Sequence, residues 1–220
     1  MRILVACEES QTITKKLREQ GHIAFSCDIQ ECSGGHPEWH FNRDVFEIID
    51  LGWDMMIAHP PCTYLSVSGL HWNKKNKERA QKTEDALAFV QKLMDVDIPR
   101  IAIENPVSCI SSRIRKPEQI IQPYQFGDDA SKRTCLWLKG LEPLKHTEYC
   151  EPRIVDGKER WSNQADDGQN VIFDDRGVML GWNTPEIKKA RSKTYPGIAD
   201  AIAEQWCKET AGLYHPDLFN

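Results

Sequence analysis

Two short motifs carry the residue types that could do chemistry in this chain. Pro60-Pro61-Cys62 follows one apolar run, and Glu104-Asn105-Pro106 follows another. Proline fixes its own φ and restricts the residue before it, so a rigid turn would hold the Cys62 thiol in place. A thiol and a carboxylate that share one crevice can act as a nucleophile and a proton-handling partner. The alternative is that Cys62 is a small buried apolar residue, as many strand-end cysteines are.

The opening of the chain predicts the first elements that would position these motifs. It reads as a strand, a polar turn, a helix that ends at glycine, and a second strand that ends at an acid, over residues 3–7, 8–11, 13–21 and 23–28. This order, with about 20 residues from the turn to the acid, is typical of a nucleotide-binding α/β unit.

Two later apolar runs lead into the reactive motifs. Residues 55–58 precede the cysteine motif and residues 101–103 precede the glutamate motif, with helically spaced apolar residues between them over 86–94. This pattern predicts a βαβ crossover, and residues 136–138 predict a later strand. Ligands of such sheets bind at the carboxyl ends of the strands, where both motifs fall.

Length and composition predict one compact domain. The 220 residues carry 28 Lys and Arg against 33 Asp and Glu, a formal net charge of −5, which argues against nucleic-acid binding through bulk electrostatics but allows a local basic face. No apolar run approaches the ~18 residues of a membrane span, and the N-terminus turns acidic too soon for a signal peptide. With eight cysteines and no secretory signal, we expect reduced thiols and a cytoplasmic protein.

Three motifs in order resemble those of the DNA (cytosine-5) methyltransferase family, in the short form that bacteriophages carry. The cysteine motif at 60–62 matches the family's Pro-Cys motif, and the pair at 104–105 matches its Glu-Asn motif. Residues 126–137 resemble its Tyr-Gly-x-x-Gln-x-Arg-x-Arg segment, although Ser131 stands for the glutamine and Cys135 for the second arginine. The resemblance implies an α/β, Rossmann-like S-adenosylmethionine-dependent methyltransferase fold, with a mostly parallel central sheet and helices on both faces.

The resemblance also implies a domain organisation. Residues 1–144 would form the catalytic core, and residues 145–190, rich in glycine, proline and polar side chains, would be an irregular insertion that serves as a reduced target-recognition region. Residues 191–220 would form a C-terminal helix that packs back on the core, because residues 191–198 resemble the closing segment of phage members. A small recognition region implies short or relaxed sequence specificity.

The activity implied is transfer of a methyl group from S-adenosylmethionine to carbon 5 of a cytosine that is flipped out of DNA. By resemblance, Cys62 would add to carbon 6 and Glu104 would hold the proton at ring nitrogen 3. Arg133 would donate to the carbonyl oxygen of the base, and Asn105 would brace the loop. The enzyme would act as a monomer in the cytoplasm, which for a phage-encoded enzyme is that of the host cell.

The donor site resembles the family in two of three elements. Asp28 stands where the family has its ribose-binding acid, and Asp44 matches the acid that contacts adenine, but the glycine-rich first turn of the family is here free of glycine. An N-cap role is the alternative for Ser10 or Asp44. The residues expected to bind the donor are Cys7, Glu8, Glu9, Ser10, Asp28, Ile29, Asp44, Val45 and Pro60.

A basic segment directly after the nucleophile predicts a DNA-facing surface, although most charge runs are simply solvated helix faces. The residues expected to contact DNA are Ser66, His71, Lys74, Lys75, Lys77, Arg79 and Arg113.

Zinc-like residue types also occur close together, at Cys27, Cys32, His36 and His40. Because one of these cysteines falls inside a presumed strand, we predict no metal site.

Two other functions fit the same residues. A catalytically silent DNA- or nucleotide-binding homologue would explain the missing glycines and the lost second arginine. Cytosine modification at the level of the free nucleotide, or with another one-carbon donor, would fit the acidic net charge. Calorimetry with S-adenosylmethionine and S-adenosylhomocysteine separates these from the methyltransferase.

Overall fold

A seven-stranded sheet forms the centre of the protein in the computed structural model, which describes residues 1–171 and 194–207. Its strands are β1 (Arg2–Ala6), β2 (Ile23–Asp28), β3 (His40–Asn42), β4 (Met55–Ala58), β5 (Arg100–Pro106), β6 (Gln119–Ile121) and β7 (Thr134–Lys139). The order across the sheet is β3-β2-β1-β4-β5-β7-β6. Strands β1 to β5 are parallel, and β7 is antiparallel to both of its neighbours. This is the strand arrangement of the Rossmann-like methyltransferase fold, so the predicted α/β class and mostly parallel sheet are confirmed.

The register aligns the ends of the central strands. Ala6 at the end of β1 pairs with Cys27 on one side and with Ala58 on the other, and Ala58 pairs in turn with Ile103. Because parallel strands that are in register end at the same edge, the segments that follow β1, β2 and β4 and the end of β5 meet there. Both reactive motifs therefore lie at one edge of the sheet.

Helices cover both faces of the sheet, as predicted. On one face, α1 (Thr12–Glu19) and α4 (Pro196–Cys207) pack their apolar side chains against the sheet. On the other face lie α2 (Lys77–Asp95) and the single turn α3 (Ile110–Arg113). Burial of apolar area at roughly 25 cal/mol per Å² stabilises both layers. The predicted crossover helix is α2, and none of the described helices is long and apolar enough to cross a membrane.

The α4 helix approaches the core closely at its first turn. The Gly197 amide donates to Asp128 Oδ2 at 3.0 Å, and a Cβ at Gly197 would lie 1.7 Å from the Phe126 carbonyl oxygen. Only glycine fits there, because any side chain would overlap the backbone of the segment before β7. This contact places the start of α4 beside the segment that precedes β7.

A small hairpin forms part of the segment between β7 and α4. Strands β8 (Arg153–Val155) and β9 (Lys158–Arg160) are joined by Asp156 and Gly157, which both have positive φ, as two-residue hairpin turns require. The segment returns to the core through Asn163, whose side-chain amide exchanges two hydrogen bonds of 2.9 Å with the Ser131 backbone.

The predicted domain boundaries stay a prediction. Residues 172–190 of the expected insertion lie outside the described residues, as do 191–193 at the start of the expected closing segment and 208–220 at its end.

Candidate active site

Cys62 is exposed on the loop that follows β4. Its carbonyl oxygen accepts hydrogen bonds from the amides of Leu65 and Ser66 at 3.0 and 2.9 Å, which fold the loop into a tight turn. The Leu65 carbonyl accepts from the Cys109 amide at 2.9 Å, and Ser66 forms an isolated β-bridge with Ser108. The loop that carries the thiol is therefore tied to the segment that follows β5. The exposed side chain does not fit the alternative of a buried apolar cysteine.

Glu104 lies on β5 and is joined to the cysteine motif by a histidine. His59 Nδ1 lies 3.0 Å from Glu104 Oε2, and the two side chains are only 11% and 18% exposed. Burial opposes ionisation of Glu104, but the hydrogen bond to His59 and the charge of Lys132 outweigh it and lower the pKa of the carboxyl. Glu104 is thus a carboxylate at neutral pH, and a carboxylate only accepts, so His59 Nδ1 is the donor.

Asn105 connects the two motifs directly. Its side chain is buried, and Nδ2 donates to the Pro60 carbonyl oxygen at 2.8 Å. This hydrogen bond holds the main chain two residues before Cys62. It fits the bracing role that the resemblance implies, and it keeps the ends of β4 and β5 together.

The two cations before β7 differ in their surroundings. Glu104 pairs with Leu136 across β5 and β7, two residues after the start of β7, so the segment that precedes β7 lies near Glu104. Lys132 is half-buried, acts on the Glu104 carboxylate, and has its Nζ 5.9 Å from the Tyr195 ring. Arg133 is exposed and lies near Cys135. The contact of Arg133 with a base stays a prediction, and Lys132 is a cation at the glutamate that sequence reasoning missed.

The first turn adopts a left-handed backbone without glycine. Cys7 and Gln11 have φ values of 59° and 56°, in a region that costs most residues roughly 1–2 kcal/mol. The Glu8 carboxylate accepts from the Ile13 amide at 2.7 Å and from the Thr14 hydroxyl at 2.6 Å, and so caps α1. Glu8 is buried and directed towards the helix. Its contact with the donor stays a prediction, because both of its carboxylate oxygens already accept hydrogen bonds from the first turn of α1.

The loop after β2 covers the other predicted residues of the first turn. The Ser33 amide donates to the Glu9 carbonyl oxygen at 2.8 Å, and the Ser33 hydroxyl donates to the Glu9 carboxylate at 3.3 Å. The Ser10 hydroxyl lies 3.2 Å from the Thr12 hydroxyl. Glu9 and Ser10 therefore line the junction between the first turn and this loop.

Two acids lie near the first turn, and their contact with the donor stays a prediction. Burial raises the pKa of the Cys7 thiol, and the charges of Asp28 and Asp44 raise it further, so both carboxylates lie near Cys7. Asp44 also accepts from the Phe46 amide at 2.9 Å, the N-cap contact that was its alternative role. Ile29 is 80% exposed at the same edge. Val45 and Pro60 are buried, and their contact with the donor stays a prediction.

The predicted DNA-binding residues fall into two groups. His71, Lys74, Lys75 and Lys77 are exposed on and directly after the loop that follows Cys62, while Ser66 is half-buried. The second group has protein partners. Arg79 donates to the carbonyl oxygens of Thr63 at 3.2 Å and Gly69 at 3.3 Å, and Arg113 pairs with Glu84 at 2.8 Å. DNA contact by either group is untested.

Two further residues of this edge escaped sequence reasoning. His59 could have been suspected because it directly precedes the Pro-Pro-Cys motif. Trp72 is 52% exposed in the basic segment, with Lys75 Nζ 5.6 Å from its ring centre. An exposed aromatic residue between basic residues is typical of nucleic-acid contact. The prediction from charge alone did not include it.

The four zinc-like residues are not arranged as a metal site. Cys32 Sγ donates to Gln11 Oε1 at 3.1 Å, and His40 Nδ1 lies 2.9 Å from the Ser26 hydroxyl. Within residues 1–171 and 194–207 there is no group of three or more His, Cys, Asp or Glu side chains that could hold a metal ion.

Comparisons with known proteins add little to this geometry. No protein-family model matches the chain, and no curated protein matches it. Among solved structures, the chain is similar to the 16S rRNA methylase RmtB, with 16% identity and a TM-score of 0.32 over 63% of this chain and 55% of that chain. The match thus spans about half the length of that relative. The chain has a methyltransferase-like α/β fold, which its own strand order shows.

Proposed function

We propose that this protein is a DNA (cytosine-5-)-methyltransferase that methylates a flipped cytosine through a covalent adduct with Cys62. The observation that carries the proposal is the junction of the two motifs: the exposed Cys62 thiol lies on a loop that Asn105 and His59 connect to the buried carboxylate of Glu104. Addition to a pyrimidine ring requires a positioned thiol and a carboxylate that handles the proton.

The reaction begins when the Cys62 thiolate adds to carbon 6 of cytosine and forms an S–C bond. The π electrons of the C5–C6 bond shift through carbon 4 towards ring nitrogen 3, which takes up a proton from solvent, and the Glu104 carboxylate accepts a hydrogen bond from the resulting N–H. Carbon 5 thereby becomes a nucleophile. After methylation, nitrogen 3 returns its proton, a solvent base removes the proton from carbon 5, and the S–C6 bond breaks with its electron pair returning to Cys62.

The residues around the first turn fit S-adenosylmethionine. Asp28 and Asp44 offer carboxylate acceptors to ribose hydroxyls and an adenine amino group, and the exposed Ile29 offers an apolar surface to the adenine ring. These residues would hold the donor together with the main chain of the first turn. When bound, S-adenosylmethionine would supply the methyl group that carbon 5 takes up and would leave as S-adenosylhomocysteine.

The DNA would lie along the exposed basic segment after Cys62. Lys74, Lys75 and Lys77 would contact phosphates, and the half-exposed Trp72 ring would stack on a base next to the flipped cytosine. Arg79 would keep this segment in place through its hydrogen bonds to Thr63 and Gly69. Because the chain is acidic as a whole, binding outside the target would be weak and sensitive to salt.

The direct test is transfer of a labelled methyl group to cytosine-containing DNA by wild-type protein and by Cys62→Ser. A matched control is Cys150→Ser, which changes a half-buried cysteine outside the site. We expect label only with wild type and the control, and a covalent adduct with 5-fluorocytosine DNA that Cys62→Ala cannot form. Equal labelling by Cys62→Ser would remove Cys62 from the mechanism.

A silent DNA-binding homologue is the second candidate, and the first turn favours it. Because Glu8 caps α1 and Gly34 packs on Ser10, the turn has less room for a ligand than a glycine-rich one. Calorimetry decides between the two functions. Binding of S-adenosylmethionine or S-adenosylhomocysteine supports the methyltransferase, and DNA binding with no response to either compound supports the silent homologue.

A further inference from the structure

His59 lies at the carboxyl ends of the central strands, between the first turn and Glu104. It directly follows β4, and its amide donates to the Ala6 carbonyl oxygen at 2.9 Å, which ties it to the end of β1. On the other side, its ring reaches Glu104 on β5. Burial raises the pKa of the Glu8 carboxyl, and the nearby His59 ring acts against this shift. One imidazole therefore lies between two buried carboxyl groups.

The hydrogen bonding of the ring is uneven. Nδ1 donates to Glu104 Oε2 at 3.0 Å, whereas Nε2 is buried and makes no hydrogen bond to any residue that the structure describes. A buried ring nitrogen without a partner disfavours the folded state, so Nε2 carries a cost that the hydrogen bond from Nδ1 to Glu104 must offset. The Glu104 contact gives this costly histidine a reason to be present.

We propose that His59 is a positioning residue for Glu104: its Nδ1 holds Oε2, so that the carboxylate presents Oε1 to ring nitrogen 3 of the target base. This role rests on the proposed function. Glu104 is largely buried at the strand end, and its side chain needs a fixed rotamer to meet a ring that enters from the DNA. His59 supplies the fixed donor, while Asn105 fixes the main chain of the cysteine motif.

The test compares three variants of the full chain. His59→Phe keeps the ring volume and removes both nitrogens, while His59→Asn keeps a donor near the position of Nδ1. The control is His22→Asn, because His22 lies next to the N-terminal amine, at the opposite edge of the sheet. We expect His59→Phe to lower kcat about 100-fold with little change in the KM for the donor. His59→Asn should recover most of this loss, and the control should match wild type.

A second readout needs no activity. The groups that face the pair are Glu8 from the first turn and Lys132 and Cys135 from the β7 end. Since the His59 hydrogen bond helps to lower the pKa of Glu104, carboxyl titration by NMR should show this pKa higher in His59→Phe and nearer wild type in His59→Asn. A merely structural histidine would leave the titration of Glu104 unchanged.

The two measurements separate the two ideas. If wild type transfers no methyl group but the pKa of Glu104 still depends on His59, the proposed function is wrong. The same result supports the pairing of these two residues. Transfer by wild type with equal kcat in His59→Phe overturns the role of His59 and leaves the proposed function intact. If His59→Phe fails to fold, His59→Asn decides: loss of kcat as large as in Glu104→Ala would overturn the role.

Discussion

Gly34 lies against Gln11 so closely that a Cβ at Gly34 would stand 2.5 Å from the Gln11 Cβ and 2.5 Å from the Ser10 carbonyl oxygen. The buried Gln11 side chain also holds this loop, since its amide donates to the His36 carbonyl oxygen at 2.8 Å and its oxygen accepts from the His36 amide at 3.1 Å. The loop after β2 is thus packed directly on the first turn, and the absence of a side chain at Gly34 allows this contact.

Gly34→Ala should therefore disturb the first turn. We expect the overlap with Ser10 and Gln11 to lower the free energy of unfolding by about 1–3 kcal/mol. The variant should also weaken binding of S-adenosylmethionine, measured by calorimetry. Gly35→Ala is the matched control, because Gly35 has a φ of +94° but open space around its Cβ position. Its strain should affect stability without changing donor affinity, and equal affinity losses would contradict this assignment.

Thiol labelling should single out Cys62. It is exposed, whereas burial raises the pKa of Cys27 to about 12 and that of Cys207 to about 11, and raises that of Cys7 as well. Because the thiolate is the reactive form, limited iodoacetamide at pH 8 should modify Cys62 well before these three. Peptide mass spectrometry over time measures the order. Labelling of Cys7 or Cys27 as fast as Cys62 would show that the sheet edge is open.

Glu104→Gln should cost stability in a pH-dependent way. The pKa of Glu104 is below its ordinary value of 4.5, so its ionised form stabilises the fold above that pH, and this contribution is lost as the pH falls through the lowered pKa. We expect a loss of about 1–3 kcal/mol at pH 7 that shrinks at lower pH. Urea unfolding at several pH values measures it.

The exposed Glu142 provides the control for this substitution. Glu142→Gln should leave the stability profile close to that of wild type. A constant difference between Glu104→Gln and wild type at all pH values would mean that Glu104 is not held as a carboxylate.

The exposed lysines should account for the salt dependence of DNA binding. Each lysine that contacts a phosphate contributes about 0.9 to the slope of log K against log salt. We expect Lys74→Gln and Lys77→Gln to reduce the slope by about this amount each. Arg113→Gln should change it little, because Arg113 pairs with Glu84. Fluorescence anisotropy at several salt concentrations makes the comparison, and a larger change for Arg113→Gln would reverse the assignment.

Arg79 should affect catalysis more than DNA affinity. Its guanidinium donates to the Thr63 and Gly69 carbonyl oxygens and so braces the loop that carries Cys62. Arg79→Gln should reduce kcat about 10-fold, or ~1.4 kcal/mol in the barrier, with an unchanged salt slope. A reduced salt slope with unchanged kcat would instead make Arg79 a phosphate contact.

The sequence by itself determined five of the seven strands of the sheet, the crossover helix and the placement of both motifs at strand ends, whereas the three-residue strands β3 and β6 were not predicted. Apolar runs such as 55–58 and 101–103 report burial on both faces of a strand, and parallel strands bring their carboxyl ends to one edge. The placement of the Cys62 and Glu104 motifs at one edge of the sheet could therefore be predicted from local patterns and strand order alone.

Only the tertiary structure decided which side chains meet at that edge. The pairing of His59 with Glu104 depends on the register between β4 and β5, and the proximity of Lys132 to Glu104 depends on the register of the antiparallel β7. The left-handed backbone of Cys7 and Gln11 goes against local propensity and persists because the surrounding contacts stabilise it. Local patterns carry no information about register or about such contacts, because both arise from residues far apart in the chain.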